Sequence, residues 1–110
     1  MWRFQGQLLM TTQSDAEEIF RQEGENFRSI MVSITEAGGL QLDAQDMGKL
    51  VEEVWGDSDY EFWVTIPPEG LAKLARALVK KLYAGRERAV DELRELCVAE
   101  GVPHEGGSWA

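Results

Sequence analysis

The residues best suited to chemistry in this chain are concentrated between Asp43 and Ile66. Seven carboxylates stand in this stretch against one lysine, and four large aromatic side chains lie among them or directly after them. Neighbouring carboxylates can act as general acid and base. Acids around exposed aromatic rings can instead bind a cationic protein surface. The carboxylates are Asp43, Asp46, Glu52, Glu53, Asp57, Asp59 and Glu61, and the aromatic residues are Trp55, Tyr60, Phe62 and Trp63.

Catalysis is the less favoured of these two chemistries. A nucleophile needs a nearby base, and the single histidine, His104, lies in a glycine-rich tail. The single cysteine, Cys97, lies on the apolar side of a predicted helix, where we expect a buried thiol. Catalysis by paired carboxylates stays open, although a chain of 110 residues leaves little room for a deep cleft. We therefore predict that the protein is not an enzyme.

The residue types also argue against a metal site. One histidine and one cysteine are too few for a structural zinc site, which takes four such ligands. The acids from Asp57 to Glu61 alternate as at the start of a calcium-binding EF-hand loop. However, Phe62 stands where that loop needs glycine for its sharp turn. We expect neither a metal ion nor a cofactor.

The charge of the chain is strongly negative and unevenly spread. The formal net charge is −9, and the first 66 residues hold thirteen acidic residues against four basic ones. A negative field repels nucleic-acid phosphates and anionic lipid headgroups, so we expect neither partner. It favours a basic protein partner, although the charge could also serve only to keep a small protein soluble.

The composition fits a single folded domain over residues 1–110. Hydrophobic residues make up 44% and charged residues 28% of the chain, as in ordinary globular proteins. A lone cysteine excludes an intramolecular disulfide. The N-terminus lacks the apolar run of a signal peptide, and no run approaches the roughly 20 residues of a membrane helix. We therefore expect a cytoplasmic protein.

The first half of the chain is predicted to form strands around one short helix. Ser14 and Glu17 have the spacing of a capping box, which predicts a helix over Asp15–Glu23. The stretch 27–35 is rich in β-branched and aromatic residues, and the glycine-containing turn at 37–39 predicts a hairpin whose return strand begins at Leu40. The partial alternation of residues 2–10 predicts an additional strand.

The segment 46–56 allows two interpretations. Its apolar residues have helical spacing closed by Gly56, but the same residues could form a bulged strand; we prefer the helix. After a turn at 57–59, strict alternation over Tyr60–Ile66 predicts a strand with Trp63 on the face opposite Phe62.

Two helices are predicted to follow. Pro67-Pro68 ends the strand and begins a helix to about Tyr83, and a second helix spans about 86–100. Leucines at helical spacing should form a buried stripe on each. The tail from His104 could add an edge strand or pack Trp109 against the domain. The predicted fold is α+β, an antiparallel sheet of about four strands with the two C-terminal helices packed on one face.

The two tryptophans in the acidic stretch have two interpretations each. Trp55 and Trp63 could be covered by other segments of the chain. They could instead be exposed anchors surrounded by acids, a composition typical of interaction hot spots. In the second case the partner-binding residues are Asp43, Asp46, Glu52, Glu53, Trp55, Asp57, Asp59, Glu61 and Trp63.

Three short motifs resemble those of a group of small bacterial proteins whose function is not established. They are QDMG at 45–48, DSDYEFWVTIP at 57–67, and the C-terminal pair Ser108-Trp109. The resemblance covers about residues 40–110 and implies a bacterial origin. Small acidic proteins of this kind look like immunity or inhibitor proteins against cationic toxins. We therefore predict a non-enzymatic protein-binding domain that recognises a basic partner. The alternative is a small self-associating regulatory or assembly module. We expect the protein to be a monomer or a weak homodimer.

Overall fold

The computed structural model describes residues 16–48, 53 and 59–109. In these residues the chain forms a four-stranded antiparallel sheet followed by two helices, which confirms the predicted α+β class. The elements are β1 (Glu17–Gln22), β2 (Asn26–Ile34), β3 (Leu40–Gly48), β4 (Asp59–Ile66), a 3-10 turn (Pro68–Gly70), α1 (Leu71–Tyr83) and α2 (Ala89–Glu100).

The strands lie in the sheet in chain order, each antiparallel to the next. The predicted hairpin joins β2 and β3. The Gly38 amide donates to the Thr35 carbonyl at 2.9 Å, and the Thr35 amide donates to the Gly39 carbonyl at 3.0 Å. The Thr35 hydroxyl accepts a further bond from the Gly39 amide at 2.9 Å. These bonds fix the register in which Ile34 stands opposite Leu40.

Alternation along the strands gives the sheet two chemically different faces. We call the first the apolar face. On β2, β3 and β4 it carries Arg28, Ile30, Val32, Ile34, Leu40, Leu42, Ala44, Asp46, Tyr60, Phe62, Val64 and Ile66. We call the second the acidic face. On the same strands it carries Phe27, Ser29, Met31, Ser33, Gln41, Asp43, Gln45, Met47, Asp59, Glu61, Trp63 and Thr65.

The helix predicted over Asp15–Glu23 is wrong, because Glu17–Gln22 forms β1. A capping box is a local signal worth little in so short a helix, whereas pairing with β2 satisfies a whole row of backbone groups. The Ser29 hydroxyl also donates to the Glu18 carboxylate across the pair. The strand predicted at 2–10 lies outside the described residues.

The preferred helix at 46–56 is wrong for its first three residues. Residues 46–48 continue β3, and Gly48 pairs with Asn26 at the end of β2. Glu53 is helical and exposed, and the rest of the segment lies outside the described residues. Strand pairing therefore extends past the point where apolar spacing alone favoured a helix.

The predicted strand and helices of the second half are confirmed with small shifts of their bounds. β4 ends at Ile66, and the Gly70 amide bonds to the Pro67 carbonyl at 2.8 Å in the turn that leads into α1. α2 begins three residues later than expected and ends before Gly101. No helix within the described part of the chain is long and apolar enough to cross a membrane.

The structure does not show the predicted burial of the helical stripes. Neither helix contains a buried residue, and leucines such as Leu78 and Leu82 are exposed. Helical spacing places these side chains on one face, but it does not say what covers that face. The tail forms no strand within its described residues, and Trp109 is 94% exposed, so the expected packing of this ring is also wrong.

Buried side chains occur at the centre of the sheet, where Ala44 is 5% exposed and Ser33 is equally covered. The chain divides into two compact units after Lys73. The sheet lies in the first unit, and most of α1 with all of α2 lies in the second. The single domain and the packing of the helices on one face of the sheet stay predictions.

Candidate functional site

Four of the nine predicted partner-binding residues lie together on the acidic face, namely Asp43, Asp59, Glu61 and Trp63. Asp46 lies on the apolar face, because it is separated from Asp43 by an odd number of positions along β3. Glu53 is exposed outside the strands. The remaining three, Glu52, Trp55 and Asp57, lie outside the described residues.

Trp63, on the edge strand β4, and Asp43, on β3, form the core of the candidate site on the acidic face. They stand directly opposite each other in the pairing of β3 with β4, where side chains on one face lie about 5 Å apart at Cβ. Trp63 is 52% exposed, so the exposed alternative describes this ring, and the covered one does not. Glu61 precedes it by two positions and stands opposite Gln45, which places a second carboxylate on the same side.

Asp43 is an acid whose environment is altered by its place in the sheet. It is partly buried, and this burial raises the pKa of its carboxyl group, since the charged form loses contact with water. A hydrogen bond from Gln41 opposes the rise. The Gln41 Oε1 atom accepts from the Thr65 hydroxyl at 3.2 Å, so its amide nitrogen is the group left to donate to Asp43.

The acidic face carries a local negative charge. On β2, β3 and β4 it presents three carboxylates and no basic side chain. Arg21 of β1 stands beside this surface, opposite Ser29, and its Nε atom lies 3.4 Å from Glu18 and 3.5 Å from Glu23. The positive charge of Arg21 therefore faces these two acids in and beside β1 and does not neutralise the carboxylates of β3 and β4.

The chain already contains the cation–aromatic contact that a basic partner would make. The Arg21 guanidinium lies over the Phe27 ring at 5.0 Å, and the Arg28 guanidinium lies over the Phe62 ring at 5.4 Å. Such contacts are favourable because the face of an aromatic ring is negative.

Asp46 is held in an ion pair on the apolar face. Its two carboxylate oxygens accept from Nε and Nη2 of Arg28, each at 2.6 Å. This bidentate pair raises the pKa of Arg28 above its ordinary value, chiefly through the hydrogen bond. Sequence reasoning missed the pair, because its members are 18 positions apart and only the hairpin register brings them together.

The Cys97 and His104 side chains line one small cavity of about 180 Å³ beside α2, together with Arg94 and Glu105. The Nδ1 atom of His104 is 2.8 Å from the Val102 carbonyl oxygen, so the tail turns back toward the helix. Sequence reasoning had found no sign that the two residues belong together. Among the described residues, no group of three or more His, Cys, Asp or Glu side chains could hold a metal ion.

No protein-family model, curated protein or solved structure significantly matches the chain. The resemblance of residues 40–110 to a group of small bacterial proteins therefore stays a prediction. The surface chemistry of the sheet is the basis for a proposal about function.

Proposed function

We propose that this chain is a non-enzymatic protein-binding domain that recognises a basic partner through its acidic face, as an immunity or inhibitor protein does. The observation that carries the proposal is the half-exposed Trp63 standing opposite Asp43, on a surface without a basic side chain across β2, β3 and β4. An aromatic anchor with carboxylates around it suits a partner that presents arginine or lysine.

The two kinds of group have different roles in this binding. Carboxylates at 43, 59 and 61 attract a cationic surface from a distance and raise the rate of association. The Trp63 ring buries apolar area once the complex has formed and so slows dissociation. Asp43 contributes to both, because it faces the ring and has already lost part of its hydration in the free protein.

Partner binding should depend on pH through Asp43. The raised pKa of the free carboxyl group means that this acid takes up a proton at a higher pH than an ordinary aspartate. A cationic partner favours the charged form, so the contribution of Asp43 to affinity is complete above the raised pKa and is lost as the pH falls through it.

A pull-down from lysate of the host that carries the gene tests the proposal. We expect the immobilised protein to retain a basic protein at low salt and to release it at high salt. Trp63→Ala should abolish retention. The matched control is Trp109→Ala, which removes a still more exposed indole that lies outside the acidic face. Equal retention by both variants would contradict the proposal.

A self-associating regulatory or assembly module is the second candidate. It is favoured by the number of large hydrophobic side chains on the apolar face that are exposed, among them Ile34, Leu42 and Val64. This candidate predicts a mass that rises with concentration and needs no basic partner. A mass that rises in light scattering after size-exclusion chromatography, together with no basic protein retained in the pull-down, distinguishes it from the binding domain.

A further inference from the structure

We propose that the apolar face is the interface of a homodimer, in which the sheets of two copies pack face to face. This assignment concerns the face opposite Trp63; it specifies the surface of the self-association named above as the second candidate and does not depend on binding of a basic partner. It rests on the composition of the face, on its charge and on its size.

The apolar face is exposed where a finished core would be covered. Leu42 and Val64 stand opposite each other in the middle of the strands, and they are 41% and 62% exposed. Phe20, Ile34 and Phe62 on the same face are also exposed by more than a third. Monomeric soluble proteins rarely expose a contiguous apolar patch larger than a few hundred Å².

On β2, β3 and β4 the charges of this face cancel, so this part of it can meet a copy of itself without repulsion. In a two-fold dimer the same patch meets itself, so any net charge on the patch is repelled by its own copy. The charged side chains of the apolar face on β2, β3 and β4 are Arg28 and Asp46, which neutralise each other in their bidentate pair. Glu17 lies at the outer edge, on β1.

The acidic face cannot serve as such an interface. Two copies meeting there would bring six carboxylates together without a basic side chain from β2, β3 or β4. The chain as a whole carries a formal charge of −9, so two copies approach most favourably through a surface that is locally neutral. Of the two sheet faces the apolar one comes closer to neutrality, since Glu17 at its outer edge is its unbalanced charge.

The size of the face is sufficient for association between copies. Strands of about eight residues are about 27 Å long, and four of them side by side are about 19 Å wide, which gives a face on the order of 500 Å². Two copies would bury on the order of 1,000 Å² in total, near the lower limit for a specific interface. The geometry is that of a β-sandwich, whose sheets pack about 10 Å apart.

Sedimentation equilibrium on the full chain, from low micromolar to near millimolar concentration, tests the interface. We expect the mass of the wild type to rise toward twice the 12.4 kDa of one chain. The double variant Leu42→Glu, Val64→Glu should remain at the mass of one chain throughout. Both residues are exposed in the single chain, at 41% and 62%, and circular dichroism checks that the variant keeps its fold.

The matched control is Gln41→Glu with Thr65→Glu. This pair is also directly opposed on β3 and β4, one position away and on the acidic face, so it adds the same charge to the same strands. The control should still form dimers. If the Leu42→Glu, Val64→Glu variant loses the circular dichroism of the folded chain, the milder Leu42→Thr, Val64→Thr pair replaces it. This pair should likewise remain at the mass of one chain.

Three results would overturn the assignment. A wild type that keeps the mass of one chain at near-millimolar concentration has no such interface. Dimers that persist in the apolar-face variant must form elsewhere, for example along the edge of β4. Dissociation of both variants to the same extent would show a general effect of charge.

Discussion

At the scale of single residues, Asp43 combines a proposed role in binding with a cost to folding. Its partly buried carboxylate is less well hydrated than in the unfolded chain, and this is why its pKa is raised. A group whose acid pKa rises on folding destabilises the native state at pH values above that pKa. The Asp43 carboxylate proposed to meet a cationic partner therefore lowers the stability of the isolated protein.

Asp43→Asn should stabilise the isolated protein at neutral pH and weaken partner binding. The gain in melting temperature over the wild type should be absent in strong acid, where the carboxyl group is protonated in both folded and unfolded chains. It should grow as the pH rises through the raised pKa of Asp43. Thermal melts of both proteins from acid to neutral pH measure this trend.

The control for this substitution is Asp59→Asn, on the same face of the sheet but at an exposed position. Removing one negative charge from a chain of formal charge −9 has a general effect on its stability, and both variants share this effect. An identical pH trend in the two variants would show that the burial of Asp43 is not the cause.

At the scale of the elements, the sheet depends on a tight contact where β3 ends. Gly48 has φ = 124°, a conformation that residues with a side chain rarely adopt. A Cβ atom added there would run into the Glu25 carbonyl oxygen and would lie 3.0 Å from the Asn26 Cα atom. Glycine is therefore needed at this position both for its backbone angle and for the close approach of β2.

Gly48→Ala should consequently destabilise the protein more than Gly24→Ala does. Gly24 has nearly the same backbone angle, φ = 128°, but a Cβ added there meets nothing within 4 Å. We expect Gly24→Ala to cost about 1–2 kcal/mol from backbone strain alone. The collision at Gly48 should add about 1 kcal/mol or more. Urea denaturation of both variants measures the difference, and equal losses would contradict the account of the contact.

Sequence patterns predicted the elements whose signals are local and missed those that depend on pairing. Alternation over Tyr60–Ile66 correctly placed Trp63 and Glu61 on one face of a strand. The hairpin turn at 37–39 correctly joined β2 to β3. The strand at 17–22 was missed, because its β character comes from pairing with β2, and a capping motif imitated a helix start.

The direct opposition of Asp43 and Trp63 also could not be predicted from the sequence. Asp43 and Trp63 belong to different strands, and ten residues separate the end of β3 from the start of β4. No local rule sets the register across such a connection, so their direct opposition is known from the structure alone. The same holds for the pairing of Arg28 with Asp46.

At the scale of the whole molecule, the two proposals fit together, because they use opposite faces of one sheet. A dimer formed through the apolar faces leaves both acidic faces on its outside. If both proposals hold, the assembly presents two identical surfaces for basic partners and gains from multivalent binding wherever the partner is repeated. The apolar side then serves assembly, and the acidic side serves recognition.

The central claim is that charge on the acidic face drives recognition, and association kinetics with the retained basic partner test it most directly. The variant Asp59→Asn, Glu61→Gln should bind about tenfold more slowly at low salt, with a weaker dependence on salt. The control Glu36→Gln, Glu69→Gln removes the same charge from exposed positions outside the two sheet faces. It should keep nearly the wild-type rate. Equal rates for both variants, whether unchanged or lowered together, would contradict the account.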